Sequence, residues 1–159
     1  MPKCLNTIEV IKFSLMKQLL LLLALSTTIS AFAQMNITDD FENYNTWNPF
    51  IQSISGEREL GKQLEASIGL GEKGMTFKPI VQVLEKHQKF EWLGNLWAKG
   101  IFDGRHSFVL EPISETETRL IHSEQFSGML SGVILMMIKK DTENGFKAMN
   151  EALKVKAEA

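Results

Sequence analysis

The chain has 159 residues and one cysteine, Cys4, so no disulfide can close within it and no cysteine-based zinc or redox spacing exists. No set of histidines, cysteines and carboxylates has the spacing of a metal site either, and none is expected. Four prolines and eleven glycines exclude a collagen-like or proline-rich chain and point to an ordinary globular domain. Charge of either sign is scarce in excess: 17 basic against 19 acidic residues give a net charge of −2. Without a Lys/Arg-rich run, the chain lacks the footprint that binds phosphate backbones, which excludes nucleic acid as a partner. No apolar run reaches the roughly 18 residues that span a bilayer. Gly128-x-x-Ser131-Gly132 is not the G-x-S-x-G elbow of a serine nucleophile. Gly69-x-Gly71-x-x-Gly74 spells a dinucleotide fingerprint, but Met75-Thr76-Phe77-Lys78-Pro79 follows where a helix is required, so the glycines read as a turn and no cofactor is expected.

What is present begins with an unusual N-terminus. Lys12 and Lys17 precede the unbroken apolar run 19–25, and a small-residue stretch ends in Ala31-Phe32-Ala33. That order predicts a secretory signal peptide over residues 1–33, cleaved before Gln34, and hence an exported domain over residues 34–159. Met16 is an alternative start. Removal of the leader takes away Cys4, three lysines and one glutamate, and leaves a more acidic, cysteine-free domain with no membrane span. The alternative is that this stretch supplies a strand, from about residue 7 to 13, and a helix, in a protein that stays cytoplasmic. An Asn36-Ile37-Thr38 sequon follows the leader.

Beyond it, residues 39–44 predict a short helical turn, which Asn48-Pro49 ends by pushing the preceding backbone out of the α region. Period-two alternation predicts strands over 50–55, 63–70, 76–85, 89–96, 106–111 and 119–126, with turns at 102–104 and 112–117. Such short connections require antiparallel neighbours. Phe146, Met149 and Leu153 recur at helical spacing in a proline-free segment, which predicts one long helix over 130–156. The fold class is α+β, a meandering antiparallel sheet with a long C-terminal helix on its face.

Several strings then carry a resemblance. They are Phe41-Glu42-Asn43-Tyr44, Trp47-Asn48-Pro49-Phe50-Ile51, Met75-Thr76-Phe77-Lys78-Pro79 and Glu91-Trp92-x-Gly94. Phe102-x-Gly104-x-His106-x-Phe108-x-Leu110-Glu111-Pro112 and Thr118-Arg119-x-Ile121-His122-x-Glu124-x-Phe126-x-Gly128 follow in order, and the helix closes on Gly145-Phe146-Lys147-Ala148-Met149-Asn150. In this order they resemble the SRPBCC or START-like superfamily, in its polyketide cyclase/dehydrase and lipid transport branch. The resemblance runs from about Asp39 to the C-terminus. It implies a helix-grip fold, a curved antiparallel sheet wrapped around the C-terminal helix with an apolar cavity between them. Relatives begin with a strand and a helix where this chain carries its leader-like stretch. Either an exported form lacks that first strand, or residues 7–33 supply it.

Alternation places Phe90, Trp92, Gly94 and Leu96 on one face, His106, Phe108 and Leu110 on another, and Leu120, His122, Glu124 and Phe126 on a third. The candidate cavity-lining residues are therefore Trp92, His106, Phe108, His122, Glu124 and Phe126, joined by Met137 and Met149 of the methionine-rich helix. Two imidazoles and a carboxylate facing inward are costly unless they hydrogen-bond to one another or to a ligand. The function expected is binding or carriage of a hydrophobic small molecule, lipid or polyketide-like. The alternatives are an aromatase/cyclase-type enzyme in which His122 and Glu124 act as acid and base, and a non-catalytic protein-interaction module whose cavity is plain core. The lack of a nucleophile favours binding over catalysis.

Overall fold

The computed structural model describes residues 3–12, 41–71, 74–114 and 117–158. The apolar run 19–25, the Ala31-Phe32-Ala33 pattern, the Asn36-Ile37-Thr38 sequon and the start of the turn expected at 39–44 lie outside these residues. In chain order the elements are β1 (Lys3–Lys12), a 3-10 turn (Phe41–Asn43) running into α1 (Tyr44–Trp47), β2 (Ile51–Gly56) and β3 (Leu64–Ile68). They continue with β4 (Met75–Phe77), β5 (Ile80–Glu85), β6 (Lys89–Leu96), β7 (Phe102–Pro112), β8 (Glu117–Ser127) and α2 (Ser131–Glu158).

The strands form a five-stranded antiparallel sheet in the order β1-β8-β7-β6-β5 and a three-stranded one in the order β2-β3-β4. The single strand expected over 76–85 is thus two strands in two sheets. Pro79 accounts for the break, since it has no N–H for a ladder and its carbonyl turns instead to the Leu64 amide. A bridge between Gln63 and Ile80 keeps the sheets joined at that corner. The turn expected at 102–104 also moves: β7 starts at Phe102, and the reversal is made by residues 97–101, where Trp97 takes a left-handed φ of 67°.

β1 fills the sheet position that the resemblance left in question. It pairs with β8 over its whole length, from Lys3 opposite Phe126 to Lys12 opposite Glu117, and buries Leu5 and Ile11. Lys154 of α2 reaches across to the Glu9 carboxylate at 2.9 Å, and that pairing raises the Lys154 ammonium above its ordinary value.

α2, about 42 Å long at 1.5 Å per residue, lies on the inner face of the larger sheet. Its buried residues Leu135, Thr142, Gly145, Phe146, Met149, Asn150 and Leu153 recur at three and four, the stripe of a core-facing helix. Gly145 sits there because the Phe50 ring does: a Cβ at Gly145 would stand 2.1 Å from that ring. Phe50 is aimed by Asn48, whose side-chain oxygen accepts the Phe50 and Ile51 amides at 3.0 and 2.9 Å. Among the described residues, no helix is long and apolar enough to cross a membrane.

Candidate functional site

Antiparallel register turns sequence alternation into rows across the inner face of the sheet. Trp92, His106 and Glu124 stand opposite one another on β6, β7 and β8. The next row is Phe90, Phe108 and His122, and on the other side lie Gly94, Gly104 and Phe126. The two glycines leave the sheet bare at that row. A cavity of about 390 Å³ occupies the space, between the sheet, the β3–β4 corner and the first half of α2. Its wall is mainly apolar, lined by Phe50, Ile68, Leu70, Leu96, Phe102 and Ile138. Glu124, Asp141, Thr142 and Asn95 add the polar groups. Met75 and Asp141 are exposed and line it, so that side meets solvent.

Of the residues expected to line a cavity, Trp92, Glu124 and Phe126 do so. His106, Phe108, His122 and Met149 are buried in the layer behind its wall, each at most 1% exposed, and Met137 points to solvent at 77%. Met149 is drawn inward because it lies on the buried stripe of α2, whereas Met137 lies off it.

Behind Glu124 runs a chain of polar groups. The His106 Nδ1 is 3.6 Å from Glu124 Oε2, an ion-pair rather than a hydrogen-bond separation. On the other side of the ring, His106 Nε2 is 2.7 Å from His122 Nε2, and His122 Nδ1 is 2.9 Å from Asn150 Oδ1 on α2. His122 and Glu124 therefore do not meet directly; His106 stands between them. Aromatic rings enclose the chain. The His122 ring stacks on Phe146 at 3.8 Å and His106 on Trp92 at 4.7 Å. Burial pushes the His122 imidazole well below its ordinary range, and the neighbouring His106 pushes the same way, against a smaller upward pull from the bond to Asn150. His122 is thus held neutral at pH 7.

Asn150, Gly104, Asp141 and Thr142 were not anticipated from sequence. Asn150 had a visible signal, a polar residue four positions after Phe146 on the apolar stripe, but nothing local shows that it meets a histidine 28 residues away. Gly104 leaves room for the carboxylate: a Cβ there would stand 2.7 Å from Glu124 Oε1. Among the described residues, no cluster of three or more histidines, cysteines or carboxylates could hold a metal.

No family model and no curated protein matches the sequence. Solved structures do match. A START superfamily protein from Mycobacterium smegmatis is similar over 97% of this chain and 96% of its own, with a TM-score of 0.66 at 16% identity. The fold is START-like. The Zhui aromatase/cyclase from Streptomyces sp. R1128 gives a TM-score of 0.70 at 9% identity, covering 99% of this chain and 94% of that one. A norcoclaurine synthase from Thalictrum flavum, in complex with a transition-state analogue, gives 0.65 at 9% identity, with the same two coverages. The chain thus has the helix-grip arrangement expected from its sequence, with the sheet divided in two. Similarity at this level concerns the fold alone.

Proposed function

We propose that this protein binds or carries a hydrophobic small molecule in the cavity between its sheet and α2. The observation that carries the proposal is the cavity itself. Its volume of about 390 Å³ falls within the ~300–1,000 Å³ of small-molecule sites, and its mostly apolar wall has a few polar groups to orient a ligand. Burial of apolar ligand surface, worth about 25 cal/mol per Å² before association costs, supplies the driving term. Mild purification followed by native mass spectrometry tests this. A co-purifying apolar molecule, lost on denaturation, is the expected result; a protein that stays empty and takes up no apolar probe contradicts it and favours an interaction module.

One observation favours a second reading, acid/base catalysis of the aromatase/cyclase type: Glu124 reaches the cavity with His106 and His122 in series behind it. On that reading, His122→Ala and Glu124→Gln abolish turnover while binding of unreactive apolar ligands survives. Export forms a separate part of the proposal, and the N-terminal residue of protein recovered from producing cells tests it. A start at Gln34 supports a cleaved leader, and a start at Met1 or Met16 contradicts it.

A further inference from the structure

The polar chain behind the cavity determines what Glu124 can offer a ligand. With Asn150 Oδ1 facing His122, the His122 Nδ1–H donates to it, His106 Nε2–H donates to His122, and the His106 Nδ1 stands 3.6 Å from Glu124 Oε2, beyond hydrogen-bond distance. In this arrangement Asn150 Nδ2 is buried without a partner among the described residues. Rotating the Asn150 amide by half a turn reverses every donor. Its Nδ2–H then donates to His122, His122 Nε2–H to His106, and a neutral His106 presents Nδ1–H to Glu124. In both directions His106 approaches Glu124 at Oε2 alone, so Oε1 takes no part in the chain. A carboxylate offers a ligand acceptors and no donor. The other Glu124 oxygen, Oε1, lies over Gly104, in the bare row of the sheet that opens on the cavity. Asp141 on α2 lines the same cavity as a second carboxylate.

From this placement we infer that the cavity selects an apolar ligand whose polar end is a hydrogen-bond donor, with an amine favoured over a hydroxyl and both over a carboxylate. The inference rests on the binding proposal and deepens it. An ammonium head donates to Glu124 Oε1 and gains charge assistance. A hydroxyl donates without that gain, and a carboxylate meets like charge with no donor of its own.

The test uses the full chain and a series matched in apolar length, decylamine, decanol and decanoate, each titrated at pH 7 against bound nile red. The expected order is amine, alcohol, carboxylate, with the amine bound about ten- to a hundredfold tighter than the carboxylate, the range of a charge-assisted hydrogen bond. Glu124→Gln removes the charge and keeps the size, so the amine should lose about tenfold or more while decanol changes little. Gly104→Ala is a second variant that keeps Glu124 but forces its carboxylate out of place, and it too should shrink the amine's advantage. Decanoate binding as tightly as decylamine overturns the inference, as does an amine preference that survives both variants. If neither nile red nor any of the three binds, the carrier proposal itself fails, a result distinct from binding without preference.

Discussion

Gly145 shows how a single residue fixes the shape of the site. An interior helical glycine costs about 1 kcal/mol against alanine, and here the penalty is offset because the Phe50 ring occupies the place of the missing Cβ. Phe50 in turn lines the cavity and meets Phe146 edge-on, at 5.7 Å between ring centres. Gly145→Ala should therefore destabilise the fold despite better helix propensity, by about 1–3 kcal/mol as overpacking. Urea unfolding of the two proteins checks this, and a stabilised variant contradicts it. His122 gives a pH prediction. Burial, reinforced by His106, holds its folded pKa well below the ordinary 6.5. Above pH 6.5 the imidazole is neutral in the folded and the unfolded chain alike. Below it, only the unfolded chain takes up the proton, so stability falls with pH at up to about 1.4 kcal/mol per unit. Between pH 7 and 5, wild type should lose more stability than His122→Phe; parallel curves would show that His122 titrates normally.

At the scale of elements, much was legible from sequence period. Alternation placed Leu120, His122, Glu124 and Phe126 on one face, and in the structure all four point inward from β8. The helix was visible in Phe146, Met149 and Leu153. Pro79 was visible too, but a proline marks a break without saying that the strands on either side join different sheets. The Asn150 contact was illegible for a related reason, because local period says which face a residue occupies and not which distant residue it meets. β1 is the instructive case. Residues 3–12 precede an apolar run, a context that suggests a leader, yet they alternate well enough to pair with β8, and Ile11 is wholly buried. If β1 is integral to the folded protein, Ile11→Ala should cost about 2–5 kcal/mol, the range for emptying a core position. Denaturant unfolding of the full chain would show it, and a change below about 0.5 kcal/mol would mean that β1 contributes little.

For the whole molecule, two demands fall on the same residues. Cleavage before Gln34, as the leader pattern predicts, would remove β1 and bare the β8 edge it covers from Glu117 to Phe126, leaving β8 paired with β7 alone. An uncovered edge of that length favours pairing with another chain. β8 also carries His122, Glu124 and Phe126, so the edge that β1 covers belongs to the strand that builds the site. Site and fold are joined through this strand and α2, which together supply Glu124, Phe126, Ile138, Asp141 and Thr142. The central claim is that the space between them receives an apolar ligand, and methyl chemical-shift mapping during a decanol titration tests it most directly. Saturable shifts concentrated on Ile68, Leu70, Leu96 and Ile138, the methyl groups of the cavity wall, are the predicted result. Shifts confined to exposed apolar residues such as Leu130 and Val133, or no saturation at all, would contradict it.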